Sequence, residues 1–188
     1  PTYREARDRV HRLATGLLRL GLGPDRPVLI LSDNGVDHGL LMLAAMHVGV
    51  PSVSVSVAYS LMSRDFAKLK RIVALVQPRI ILVADSARFA GALAAIAPVH
   101  NADVAVTDAG RTGSELALAG LETDENAAEV ERMFRSVGPD TVGKLLFTSG
   151  STDEPKGVIN TQRMMCSNQQ ARAQFWPFLL QSPPVMLD

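Results

Sequence analysis

A chain of 188 residues, 47% of them apolar, is long enough for one well-buried core or for one lobe of a larger protein. Its 19 basic and 19 acidic residues cancel, which argues against a polyanion-binding surface and so against nucleic acid as a partner; a small anion site needs only a few local donors and stays open. Cys166 is the only cysteine, so neither a disulfide framework nor a thiolate metal cluster is available.

No stretch approaches the roughly 18 consecutive apolar residues of a membrane span. The opening PTYREARDRV has no apolar signal region, so a cytoplasmic setting without a membrane span is the expectation. The first residue is Pro1, and the closing PVMLD (184–188) reads like the start of a strand, so a fragment is expected.

Thr2 to Glu5 fits a capping box, and Val10, Leu13, Ala14, Leu17 and Leu18 continue at helical spacing until Gly21, Gly23 and Pro24 stop the run. PVLIL (27–31) reads as a short buried strand, SDNG turns the chain, and 36–48 form an apolar helix ending at Gly49. SVSVSV (52–57) alternates strictly and predicts a strand with valines on the core side. Its serine side could face a cavity, but a second packed layer is the expected arrangement. Ser63 is placed to cap a helix over 64–76, which Pro78 ends.

RIILVA (79–84) reads as another buried strand, 86–97 as an alanine-rich helix, and 103–107 as a short strand. Residues 108–123, with three glycines, read as a loop, and 125–136 as a helix capped by Asp124. KLLFT (144–148) and GVIN (157–160) are strands close enough for an antiparallel hairpin, and a helix runs over about 162–175. Alternating apolar strands and helices predict an α/β fold: a layered, mainly parallel sheet flanked by helices.

Two stretches resemble phosphate sites. Gly138 to Leu145 (GPDTVGKL) nearly matches G-x-x-x-x-G-K-[ST], but Leu145 stands where the magnesium-binding hydroxyl is needed and a strand, not a helix, follows. A plain helix-to-strand loop is the better reading. The second stretch is LLFTSGSTDEPKGVINT (145–161). Gly150 lets the backbone approach a ligand closely. Ser149, Ser151 and Thr152 offer hydroxyl and amide donors, and Lys156 adds a charge at the rim. The same residue types also favour an ordinary polar turn, so composition alone leaves both readings open.

TSGST followed two residues later by PKG resembles the signature loop of the adenylate-forming superfamily, which includes acyl- and aryl-CoA synthetases, firefly luciferase and peptide-synthetase adenylation domains. TYREA (2–6) and AAMHVGVP (44–51) resemble further blocks of that family. SDN (32–34), AYSLMS (58–63), GPDT (138–141) and INTQRMM (159–165) look most like feruloyl-CoA synthetases. The likeness covers essentially the whole chain, read as the amino-terminal portion of the synthetase's large domain.

The resemblance implies a two-step reaction with ATP, Mg2+ and coenzyme A. A carboxylic acid, in this subgroup an aromatic one such as a hydroxycinnamate, attacks the ATP α-phosphate to give an acyl-adenylate and pyrophosphate, and the coenzyme A thiol then displaces AMP. By motif position, Thr148, Ser149, Gly150, Ser151, Thr152 and Lys156 hold the β- and γ-phosphates. The family's adenine and ribose contacts, its magnesium-binding glutamate and its carboxy-terminal domain with the catalytic lysine fall beyond Asp188. No catalytic residue is therefore expected here, the missing carboxy-terminal portion is an expected partner, and these residues alone are not expected to turn over. Alternatives are a phosphate-binding module without catalysis, a degenerate enzyme, or a folding lobe that binds nothing alone.

Asp153 departs from the pattern, standing where the family usually has glycine. Asp tolerates positive φ better than most residues, though less well than glycine. Charge is the larger difficulty, since a carboxylate about 6 Å from a phosphate charge costs roughly 0.7 kcal/mol in water and several-fold more in a partly dry loop. Weakened ATP binding, a side chain turned outward and a magnesium contact are the three accounts, and the outward side chain is preferred. Glu154 fills a variable position and is expected to face solvent. The four histidines lack ligand-like spacing, with His38 and His47 read as packed on or at the edge of their helix. Cys166 reads as a packed thiol, and Met42, Met46, Met164 and Met165 as helix packing.

Overall fold

The computed structural model describes residues 1–107, 113, 115–123, 126–148 and 154–181, with Leu179 by its backbone only. The chain opens with α1 (Tyr3–Arg19), and the capping box forms as read: the Thr2 hydroxyl accepts from the Glu5 amide at 3.3 Å while the Glu5 carboxylate accepts from the Thr2 amide at 2.7 Å. β1 (Val28–Leu31), α2 (Val36–His47) and β2 (Ser52–Ser54) follow, then α3 (Val57–Leu61), α4 (Ala67–Val76) and β3 (Ile80–Val83). α5 (Ala90–Ile96), β4 (Asp103–Val106), β5 (Leu116–Ala117), α6 (Leu118–Leu121) and α7 (Ala127–Ser136) lead to a hairpin of β6 (Val142–Thr148) and β7 (Lys156–Thr161). α8 (Gln162–Phe175) and a 3-10 turn (Pro177–Leu180) complete the described chain.

The strands form one sheet in the order β5-β4-β3-β1-β2-β6-β7, parallel throughout except for the antiparallel β6–β7 pair. Successive strand residues point to opposite faces, so the sheet feeds two cores. Val28, Ile30, Ile80 and Leu82 pack with α1, α2, α6 and α7 on one face. Leu29, Leu31, Val53, Ile81 and Val83 pack with α4 and α5 on the other. The layered α/β architecture expected from the alternating pattern is present.

Several local expectations need correction. The SVSVSV strand stops at Ser54, because the Ser56 hydroxyl accepts from the Ala58 amide at 3.3 Å and starts α3 instead of a sheet ladder. The helix expected from residue 64 begins at Ala67. Ser63 does accept from the Phe66 amide at 3.0 Å, but Phe66 lies in the left-handed region (φ 55°) and Asp65 takes the Ala67 amide at 3.1 Å. The helix expected over 86–97 runs from Ala90, after a turn in which Asp85 accepts from the Arg88 amide at 2.9 Å.

The presumed loop 108–123 contains β5 and α6. Both are too short to show a period, yet β5 pairs with β4 and α6 buries Leu118 and Leu121. Asp124 lies outside the described residues, and Asn126 caps α7 by accepting from the Glu129 amide at 3.3 Å. Gly49 ends α2 with φ 74°, the left-handed conformation that glycine adopts without a Cβ penalty.

Candidate phosphate-binding site

The hairpin forms because two short apolar runs flank a segment of turn-forming residues, and its register is continuous from Lys144 to the loop end, with an irregularity between Val142 and Lys144. Leu146 pairs with Val158, Phe147 with Gly157, and Thr148 with Lys156. Two of the sequence-derived site residues, Thr148 and Lys156, are thus cross-strand neighbours, both exposed. Alternation puts them on one face of the hairpin and Phe147 on the other, where a Cβ at Gly157 would meet the Phe147 ring at 3.3 Å. Ser149, Gly150, Ser151, Thr152 and Asp153 lie outside the described residues. What the structure brings together is therefore the stem of the loop: a hydroxyl and an ammonium opposed across its mouth.

β6 runs parallel to β2, with Ser54 beside Leu146, so the mouth of the hairpin opens at the carboxyl ends of the parallel strands. Ligands of open α/β sheets bind at that edge. Next to it, a cavity of about 540 Å3 is lined by Ser32, Asp33, Asn34, His38, Ser54 and Ser56. His38 bridges the residue just past β1 to β2 there, its Nδ1 3.0 Å from the Ser32 hydroxyl and its Nε2 2.9 Å from the Ser54 hydroxyl. The serine side of SVSVSV is therefore divided: Ser52 is buried and donates to the Gly143 carbonyl at 3.3 Å, as a packed layer would have it, whereas Ser54 and Ser56 face the cavity, a correction to the expected packing, and Ser54 meets the imidazole from α2. The sequence signalled this only through the serine alternation; His38 carried no signal as its partner.

Glu154 is exposed, as the sequence suggested, but it is not unpartnered. It forms an ion pair with Arg71 of α4. Nothing in the local sequence could show this, because the two meet only when α4 and the hairpin pack on one sheet. Asp65, which lines a second cleft together with Arg71 and Glu154, is held below the ordinary carboxylate range by the Ala67 amide and the Ser63 hydroxyl.

The remaining candidates resolve as follows. GPDTVGKL is a tight connection into β6: the Thr141 hydroxyl accepts from the Gly138 amide at 2.9 Å, and Asp140 pairs with Arg163 at 3.2 Å. His47 is stacked on Phe134 and His11, with ring centroids 4.6 and 5.1 Å away. Burial, then the charge of His11, pushes its pKa down, partly opposed by Glu131. Among the described residues, no cluster of three or more His, Cys, Asp or Glu could hold a metal ion. Cys166 is exposed rather than packed, because no residue of α8 is buried. Met42 packs at the edge of the core, whereas Met164 is 55% exposed. No helix of the described residues is long and apolar enough to cross a membrane.

A family model described as AMP-binding enzyme matches residues 1–185. The chain belongs to that family. AMP-binding enzymes of this kind are adenylate-forming. Surfactin synthase subunit 1 from Bacillus subtilis is 26% identical over 162 residues, covering 85% of this AMP-binding chain and 4% of that protein. A putative long-chain-fatty-acid CoA ligase from Rhodopseudomonas palustris shares the fold with a TM-score of 0.76 at 20% identity, covering 94% of this chain and 42% of that one. ATP-bound MatB from the same organism gives a TM-score of 0.69 at 24% identity, over 94% of this chain and 32% of that one. The AMP-binding chain thus spans less than half the length of each of these relatives.

Proposed function

We propose that this chain is the amino-terminal portion of the large domain of an ATP-dependent acid–CoA ligase, acting on an aromatic acid such as a hydroxycinnamate in a cytoplasmic setting. The acid's carboxylate oxygen attacks the ATP α-phosphorus, the bond to the β-phosphate oxygen breaks, and pyrophosphate leaves. The thiol of coenzyme A then attacks the acyl carbon, losing its proton as AMP departs. Thr148, Ser149, Gly150, Ser151, Thr152 and Lys156 hold the β- and γ-phosphates. Fixed donors aimed at the leaving pyrophosphate stabilise charge as it develops, without reorganising. Bound Mg2+ would share that charge. No residue of this chain is assigned to the bond-making centre, and the 188 residues alone do not turn over.

One observation carries the reading. Thr148 and Lys156 stand as cross-strand partners on one face of a hairpin mouth, at the carboxyl edge of the parallel strands. The family match supports nucleotide use, and the ATP-bound relative supports ATP as the nucleotide. The likeness to surfactin synthase favours a second reading, in which the acyl-adenylate passes to a carrier other than coenzyme A. A phosphate-binding module or degenerate enzyme without catalysis is the non-enzymatic alternative, favoured by Asp153.

The test is exchange of labelled pyrophosphate into ATP by the full-length protein, run with a panel of aromatic, aliphatic and amino acids. Exchange is expected with a hydroxycinnamate. Lys156→Ala should raise the KM for ATP about tenfold or more, as expected for loss of a charged hydrogen bond to phosphate. Exchange without thioester formation when coenzyme A is added selects the second reading, and no exchange with any acid leaves the non-catalytic module.

A further inference from the structure

Glu154 belongs to the loop that would face a triphosphate, so its carboxylate ought to repel the ligand. The hairpin avoids this by sorting its charges between faces. Residues alternate along β6, so Thr148 and its partner Lys156 lie on one face while Leu145 and Phe147 lie on the other, packed towards the core beneath α4. Glu154 goes to α4, where Arg71 pairs with its carboxylate. The pair borders a cleft of about 600 Å3 whose other polar side chains have partners of their own. Asp65 accepts from the Ser63 hydroxyl and the Ala67 amide, and the Lys68 ammonium lies 6.0 Å from the centre of the Tyr59 ring.

We propose that Arg71 is a positioning residue for the phosphate loop. By holding Glu154 against α4, it keeps that carboxylate off the face that carries Thr148 and Lys156 and ties the loop's outgoing stem to a helix. The proposal rests on the reading that this hairpin holds the β- and γ-phosphates. It assigns the variable acid of the motif a role as a fastener rather than a ligand. Arg71 touches no substrate; it acts through Glu154. Because both side chains are well exposed, at 59% and 64%, the pair adds little to folding stability, which separates positioning from a merely structural role.

The experiment titrates the full-length protein with MgATP, inorganic pyrophosphate and AMP by calorimetry. Arg71→Ala should weaken MgATP and pyrophosphate about five- to tenfold, because a freed carboxylate can then approach the phosphates. AMP, which lacks those phosphates, should bind as before, and the Tm should not move. In the double variant Arg71→Ala/Glu154→Ala the Glu154 carboxylate is no longer there to swing across, so MgATP affinity should return to within about twofold of the parent, a strong coupling in the double-mutant cycle. Parent-like MgATP binding by Arg71→Ala overturns the proposal. So does an equal loss of AMP affinity, or a double variant no tighter than the single one. A parent that binds neither MgATP nor pyrophosphate overturns the phosphate-loop reading itself, whereas a parent that binds both while Arg71→Ala has no effect removes only the role of Arg71.

Discussion

His47 shows how one side chain's surroundings set a property of the whole chain. It stacks between His11 and Phe134, and burial followed by the charge of His11 lowers its pKa from the ordinary 6.5. In the unfolded chain the imidazole regains its ordinary value, so as pH falls the unfolded state takes up the proton first. The stabilising contribution is therefore complete above about pH 6.5 and is lost as pH falls below it, through the folded value. Thermal melting from about pH 7.5 down to about pH 5 should show a falling Tm, and His47→Gln should make the fall shallower. Some slope should persist, because burial also lowers the pKa of His100. A variant with the parent's full slope would remove His47 from this account. Glu154 and Asp153 make a related contrast. Both acids were visible in the motif, but a carboxylate's electrostatic effect depends on its partner, and for Glu154 that partner is Arg71, far away in sequence.

Among the elements, α1 was readable almost residue by residue, because a capping box and a helical apolar stripe are encoded by near neighbours. What α1 packs against was not. Gly16 in its fourth turn sits against the Leu121 carbonyl, where an added Cβ would come within 2.0 Å of the oxygen. Alanine is the better helix former by about 1 kcal/mol. In this contact Gly16→Ala should nevertheless lower stability by about 1–3 kcal/mol, because backbone must move to admit the methyl. The denaturant midpoint measures this, and an unchanged or raised midpoint would mean that α6 yields easily. The β2 segment teaches the opposite lesson to α1. Its strict alternation promised a longer strand, but the Ser56 hydroxyl satisfied a backbone amide locally and ended the ladder.

For the molecule as a whole, the seven-stranded sheet grades from a buried centre to an open edge. Every residue of β1 is buried, with Leu29 fully enclosed, while Ile159 on edge strand β7 is 54% exposed. Leu29→Ala should therefore cost about 2–5 kcal/mol in equilibrium denaturation. Ile159→Ala should stay within about 0.5 kcal/mol, as surface substitutions do. Similar losses at both sites would contradict this gradient. The parallel pairing of β2 with β6 also carries the Thr148–Lys156 mouth to the same edge as Ser54 and His38.

The order and kind of most elements, the hairpin and the family signature from Thr148 to Lys156 were all legible in the chain, because periodicity, caps and turn chemistry act over a few residues. Strand order, the charge-sorted faces of the hairpin, the Ser32–His38–Ser54 bridge and the Arg71–Glu154 pair came only with the folded molecule. Each depends on which distant segments share a sheet, and that follows from the summed burial of two apolar faces rather than from any short run of residues.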